Sequence, residues 1–159
     1  MAVTVRRAQH EDAGAIAEMA IKLVRQHQNY DSRRFSWLGS AEQAEWFYGS
    51  QTKAENAAVL VAEMDGEVIG FAYLQFEAKD YANLLETAAW LHDIYIDDGA
   101  RGTGAGQLLI EKSAEAAKEL GADKLMLSVA AKNEFARRFF ERRGFRETMH
   151  EMMLDLTKE

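Results

Sequence analysis

The stretch I94-Y-I-D-D-G-A-R-G-T-G-A-G-Q-L-L109 decides how this chain is read. It opens with three apolar, strand-forming residues and closes on the start of an apolar-periodic helix. Between them lies RGTGAG, Arg101 to Gly106, with glycine at every second position. Glycine weakens both helices and strands, so three in alternation need a cause. An ordinary tight turn asks for one glycine, not three. A strand, a glycine-rich turn and a helix start together make a phosphate site. The first helical turn has free N–H groups and a partial positive charge, and missing Cβ atoms at Gly102, Gly104 and Gly106 would let a pyrophosphate touch the backbone.

Working outward, the strand before this turn covers Ala89 to Ile96, and the helix after it runs from about Gly104 to Leu120. Leu109, Ala116, Ala117 and Leu120 form the helix's apolar face, and Gly121 supplies a left-handed cap. Lys124 to Ala130 is a strand candidate, with Leu125, Leu127 and Val129 on one face. Asn133 caps a helix that ends at Arg143 and Gly144. Phe145 to Leu156 is expected to give one or two last strands. Upstream, Thr4 to Arg7 is a short strand. A helix from Glu11 to about His27 carries Ala15, Ile16, Met19, Ala20, Leu23 and Val24 at helical spacing. Gln28 to Gly39 reads as loop. Ser40 with Gln43 forms a capping box for a helix to about Lys53. Ala57 to Glu63 and Val68 to Phe76 are strands joined by the hairpin dipeptide Asp65-Gly66. Glu77 to Ala88 carries no clear periodicity. The element order predicts an α/β (α+β) fold with a mixed, mostly antiparallel central sheet of 6–7 strands, about four flanking helices and one domain over residues 1–159.

Bulk properties bound the function. The chain has 159 residues, 48% of them apolar and 28% charged, which is enough for a core and unlike a disordered composition. There is no cysteine, so disulfides, zinc–thiolate sites and a cysteine nucleophile are excluded. No signal-like or membrane-length apolar run occurs, and the expected setting is cytoplasmic, without membrane or metal. A net charge of −7 disfavours nucleic acid and favours cationic small molecules. The arginines at 137, 138, 142, 143 and 146 read better as a solvated helix face that offsets Glu134, Glu141 and Glu147 than as a nucleic-acid patch.

Three phosphate loops compete for RGTGAG. A Walker loop needs Gly-Lys-Ser or Gly-Lys-Thr at its end, whereas Gln107 and Leu108 follow Gly106. A dinucleotide fingerprint belongs after a first strand and needs a third glycine where Gln107 stands, ahead of Leu108. The remaining pattern is an acyl-coenzyme A loop. Arg101-Gly102-Thr103-Gly104-Ala105-Gly106 resembles the signature of the GNAT family, the Gcn5-related N-acetyltransferases. The preceding Ile94-Tyr95-Ile96 looks like that family's central strand. NEFARRFFERRGF, Asn133 to Phe145, is similar to its closing segment, in the same order and spacing. The resemblance covers about Ala57 to Phe145.

The resemblance implies acetyl transfer from acetyl-CoA to an amine. The backbone of Ile94, Tyr95 and Ile96, freed by a bulge that splays the strand from its neighbour, would polarise the thioester. The loop Arg101, Gly102, Thr103, Gly104, Ala105 and Gly106 would hold the pyrophosphate. Asn133 would contact the pantetheine arm or order the site, and Lys132 or Arg138 would reach the 3′-phosphate. Phe140 stands where many relatives carry a tyrosine acid; it has no proton to give but can pack against the arm. The amine titrates at about 10.4, so a base is needed. His92 is the candidate, because imidazole exchanges protons near neutral pH and residues 90, 92, 94 and 96 share one face of a regular strand. Asp93 would then point to the other face, and Glu86 would serve only if its segment folded over the pocket. Tyr30, Phe35, Trp37, Trp46, Phe47 and Tyr48 fall where the family lines its acceptor pocket, with Trp37, Trp46, Glu42 and Glu45 able to hold a cation. Two functions stay open: an N-acetyltransferase for a small-molecule or peptide amine, or a non-catalytic acetyl-CoA sensor. Relatives are often homodimers.

Overall fold

A computed structural model describes residues 2–37 and 39–157. Its elements are β1 (Val3–Arg7), α1 (Ala13–Tyr30), α2 (Ala41–Gln51), β2 (Ala57–Met64), β3 (Glu67–Glu77), β4 (Ala88–Ile96), α3 (Ala105–Glu119), β5 (Leu125–Met126) and α4 (Glu134–Arg142), with short 3₁₀ turns at His10–Asp12 and Asp98–Ala100. The sheet order is β1-β2-β3-β4-β5, antiparallel through β4 and parallel for β5. This is the expected α+β architecture.

Local chemistry sets the boundaries. The Ser40 hydroxyl accepts from the Gln43 N–H at 3.1 Å while the Gln43 side chain accepts from the Ser40 N–H at 2.9 Å, so the capping box starts α2 as expected. Asp65 and Gly66 both have positive φ, 54° and 79°, the geometry of a two-residue hairpin turn between β2 and β3. The Asn133 side chain accepts from the Ala136 N–H at 3.1 Å and starts α4. α1 buries Ile16, Met19 and Ala20, but Ala15 is exposed and Ala13 and Ala17 take its place.

The sheet separates two cores. On one side α3 and α4 cover Leu60, Ala72, Leu74, Ala89 and Leu91, with Leu109, Ile110 and Phe140 from the helices. On the other, α1 and α2 cover Val59, Val61, Phe71, Tyr73 and Tyr95, with Ile16, Met19 and Tyr48. Among the described residues no helix is long and apolar enough to cross a membrane.

The strand count falls short of 6–7. Five strands form, and β5 is only two residues long although Leu127 and Val129 still pack on the core. Phe145 to Leu156 forms no ladder, and Met152, Leu154 and Leu156 are exposed. Alternation makes a strand only when a neighbouring edge supplies hydrogen-bond partners. Here the segment is tied by side chains instead. Arg33 donates to Asp155 at 2.9 Å, and Arg34 bonds Glu151.

Candidate active site

The glycine turn falls directly before α3. Gly102 and Gly104 have φ of 80° and 86°, a left-handed conformation that side-chain-bearing residues rarely adopt, and a Cβ on either would meet nothing within 4 Å. Space therefore lies open in front of this backbone. Gly104 is the N-cap of α3 and brings no side-chain oxygen to it. The Thr103 hydroxyl donates to the Ala100 carbonyl at 2.6 Å and leans toward the Ala105 N–H at 3.4 Å. The N–H groups of Gly106 and Gln107 find no acceptor among the described residues, leaving an electropositive helix start turned to open space. Gly106 has a different cause from its two neighbours: a Cβ there would lie 3.3 Å from Phe139 Cζ. That glycine leaves room for Phe139 of α4. Arg101 is exposed and pairs with Asp98 at 3.2 Å.

Strand β4 leads into this turn, and its edge opens halfway along. β4 and β5 pair only at Ala89↔Leu125 and Trp90↔Met126. Beyond Trp90 the two strands part, so Ile94, Tyr95 and Ile96 are laddered to β3 alone. A chain laid in the gap would meet backbone polar groups on one side and the α3 amides at its end.

The opposite edge of β4 carries a bulge. Tyr73 pairs with Asp93 and Leu74 with Leu91, so His92 is the extra residue. This changes the faces expected from strict alternation. Ala89, Leu91, Ile94 and Ile96 point to the α3 side, whereas Trp90, His92, Asp93 and Tyr95 all turn toward α1 and α2. Asp93 thus joins His92 on one face, against the expectation that it would point away. The Tyr48 hydroxyl donates to Asp93 Oδ2 at 2.6 Å. Burial raises the Asp93 carboxyl above its ordinary value of 3.8, with the Tyr48 bond acting in the opposite sense.

His92 is half exposed. Its Nε2 contacts a carboxylate oxygen of Glu77, the last residue of β3, and its ring stacks against Tyr73 and Trp90 at 5.8 and 6.3 Å between centroids. The Tyr73 hydroxyl donates to the Gln51 side chain at 2.9 Å and is pushed up to about 12 by burial and by the nearby carboxylates Asp93 and Glu77. Sequence reasoning missed Glu77, and it named Tyr48 only among the acceptor-pocket aromatics, without its bond to Asp93. Each is far from β4 in the chain, and only the pairing of β3 with β4 and the packing of α2 bring them together. The one local signal was their coincidence with element ends and apolar faces.

A cleft of about 580 Å³ opens beside this cluster, between α1 and α2. Ile21, Val24, Trp37, Trp46, Phe47 and Tyr48 are among its walls; Glu42 and Glu45 are exposed and do not line it. Trp37 and Trp46 thus share the cleft without the two acids that were grouped with them. Glu86 is exposed and pairs with Lys79 at 3.7 Å. Phe140 is buried against Phe139 and Phe145, with ring centroids 5.6 Å apart in each case. Arg137 pairs with Glu147 at 2.7 Å and Arg138 with Glu134 at 3.6 Å, as a solvated face would.

A strand that opens at mid-length, a glycine turn and a helix start with bare amides belong to a fold with clear relatives. The chain belongs to the Acetyltransferase (GNAT) family, whose model matches residues 17–145; it is a family of transferases. Among relatives, an uncharacterised N-acetyltransferase of Methanocaldococcus jannaschii is 28% identical over 144 residues, covering 91% of this chain and 61% of the relative. An uncharacterised N-acetyltransferase of Bacillus subtilis is 28% identical over 145 residues, covering 91% of each. Among solved structures, AAC(6′)-Iy in complex with the bisubstrate analogue CoA-S-monomethyl-acetylneamine superposes with a TM-score of 0.78, at 19% identity and 98% coverage of both chains.

Proposed function

We propose that this chain is an N-acetyltransferase that moves the acetyl group of acetyl-CoA directly to a primary amine. One observation carries the reading: the unpaired half of β4 runs straight into the bare amides of the Gly102–Gly106 turn. Acetyl-CoA would supply an activated acyl thioester. Backbone N–H groups of Ile94 to Ile96 would hold the carbonyl oxygen as it gains charge, commonly the largest catalytic contribution. The Arg101–Gly106 backbone would carry the pyrophosphate, and Asn133 would serve by fixing the start of α4.

The amine nitrogen attacks the carbonyl carbon, the carbon–sulfur bond breaks, and the amine's proton passes to His92 or to a water bound there. Glu77 steadies the imidazolium that results. The thiolate leaves without a proton from position 140, since Phe140 has none; a thiol of pKa about 8.5 is a fair leaving group unaided. Phe140 is also what favours the second reading, a module that binds acetyl-CoA without turnover. Incubation with acetyl-CoA and a panel of amines, followed by thiol release, separates the two. Amine-dependent release is expected; acetyl-CoA binding with release no faster than buffer would establish the sensor.

A further inference from the structure

The α1–α2 cleft has a composition that narrows the acceptor. Its apolar walls are Ala20, Ile21 and Val24 from α1 and Ala44, Trp46 and Phe47 from α2, closed by Trp37 on the connecting loop. Ser36, Ser40 and Gln43 are its polar lining, and no charged residue lines it among the described residues. A volume of about 580 Å³ is in the range of small-molecule sites. Trp46 stays 73% exposed and Trp37 41%, an unusual cost for indoles that have nothing to cover them.

Two residues connect this cleft to the reacting region. Tyr48 lines it and donates to Asp93. Phe47 lines it and packs edge-on against Tyr73 at 5.5 Å, and Tyr73 stacks on His92. The cleft is therefore mostly apolar, and Phe47 and Tyr48 join its wall to the group of Asp93, Glu77 and His92. A polycation would leave charges facing indole and aliphatic walls with no carboxylate partner. A molecule with one amine and an apolar body matches both ends at once.

Resting on the acetyltransferase reading above, we infer that the acceptor is a primary amine with a single cationic head and an aromatic-sized apolar tail, the tail lying between α1 and α2 and the head beside the β4 bulge. The class is set by the cleft, not by the transfer chemistry, so the two can fail separately.

The test measures thiol release with acetyl-CoA and four acceptors: 2-phenylethylamine, ethylamine, spermidine and kanamycin. The expected kcat/KM for 2-phenylethylamine exceeds that for ethylamine by at least tenfold, since burying a phenyl group is worth about that or more, and exceeds that for both polycations. Trp46→Ala, at an exposed position where folding is not at risk, should reduce the phenylethylamine-to-ethylamine ratio severalfold. A second readout does not need turnover: titration of 2-phenylethylamine should change indole emission, and less so in Trp46→Ala and Trp37→Ala. A preference for spermidine or kanamycin overturns the substrate class and leaves acetyl transfer standing. Equal rates for phenylethylamine and ethylamine with unchanged emission also overturn it. Release with none of the amines overturns both.

Discussion

At the residue scale, the pair His92 and Glu77 makes the sharpest statement. If His92 takes the amine's proton, His92→Ala should lower kcat/KM by about 10²–10⁴-fold, with the loss fading at acidic pH, where imidazole is protonated and is no longer a base. Glu77→Gln should shift the pH–rate profile more than it lowers the plateau, because it acts through His92. A profile unchanged in either variant would remove these residues from the proton path. Asp93 offers a stability test. Its carboxyl is raised by burial, so the folded state holds the proton more tightly than the unfolded state. Ionising it costs stability as pH rises from about its ordinary 3.8 toward the raised native value. Asn at 93 has no such cost and keeps an acceptor for Tyr48. The melting temperature of Asp93→Asn relative to the parent should therefore be flat below pH 4 and climb toward pH 7. His92 was legible in the sequence as the titratable residue of the central strand. That Asp93 shares its face was not, because an inserted residue in a ladder leaves no mark on local composition.

At the element scale, the three alternate glycines separate by cause. Gly104→Ala must place a side chain at φ 86°, at a cost of about 1–2 kcal/mol, and the new methyl enters the space proposed for the pyrophosphate. It should fold, melt lower and lose acetyl-CoA affinity. Gly106→Ala asks only that the Phe139 ring move by a few tenths of an ångström, and helix propensity gains up to about 1 kcal/mol in return. That variant should keep near-parental stability and affinity. Calorimetry and denaturant melts of the two would check this, and equal loss of affinity in both would show that Gly106 also faces the ligand. Caps and the hairpin were readable because each is a short-range hydrogen-bond pattern: Ser40 with Gln43, Asp65-Gly66, Asn133 with Ala136. The final strands were misread for the converse reason. Lys124 to Ala130, of which only Leu125–Met126 pairs, and Phe145 to Leu156 have the right alternation, but a strand depends on an edge supplied from elsewhere in the chain.

At the scale of the whole molecule, the carboxy-terminal segment is held to the loop after α1 by charge. Asp155 is lowered to about 2 by the Thr157 hydroxyl and N–H, then by Arg33. A carboxyl lowered on folding contributes stability above its unfolded value of 3.8 and loses that contribution as pH falls through about 2. The guanidinium NMR signal of Arg33 should therefore move toward that of a free arginine between pH 4 and pH 2, and Asp155→Asn should show that shift already at pH 5. The mixed, mostly antiparallel sheet with helices on its faces followed from hydrophobic periodicity and element order; the strand order and the division into two cores did not. The place where β4 and β5 part was expected only from family resemblance, since nothing in Leu91 to Ile96 announces an unpaired edge.

That parting has a kinetic corollary. The gap lies between β4 and β5 and leads to the glycine turn at the start of α3, whereas the apolar cleft lies between α1 and α2 and is lined by a different set of residues. Two visitors with separate doors need not take turns. Initial rates measured while both concentrations vary should give reciprocal plots that intersect, the mark of a ternary complex, and parallel lines would mean that one guest must depart before the other arrives.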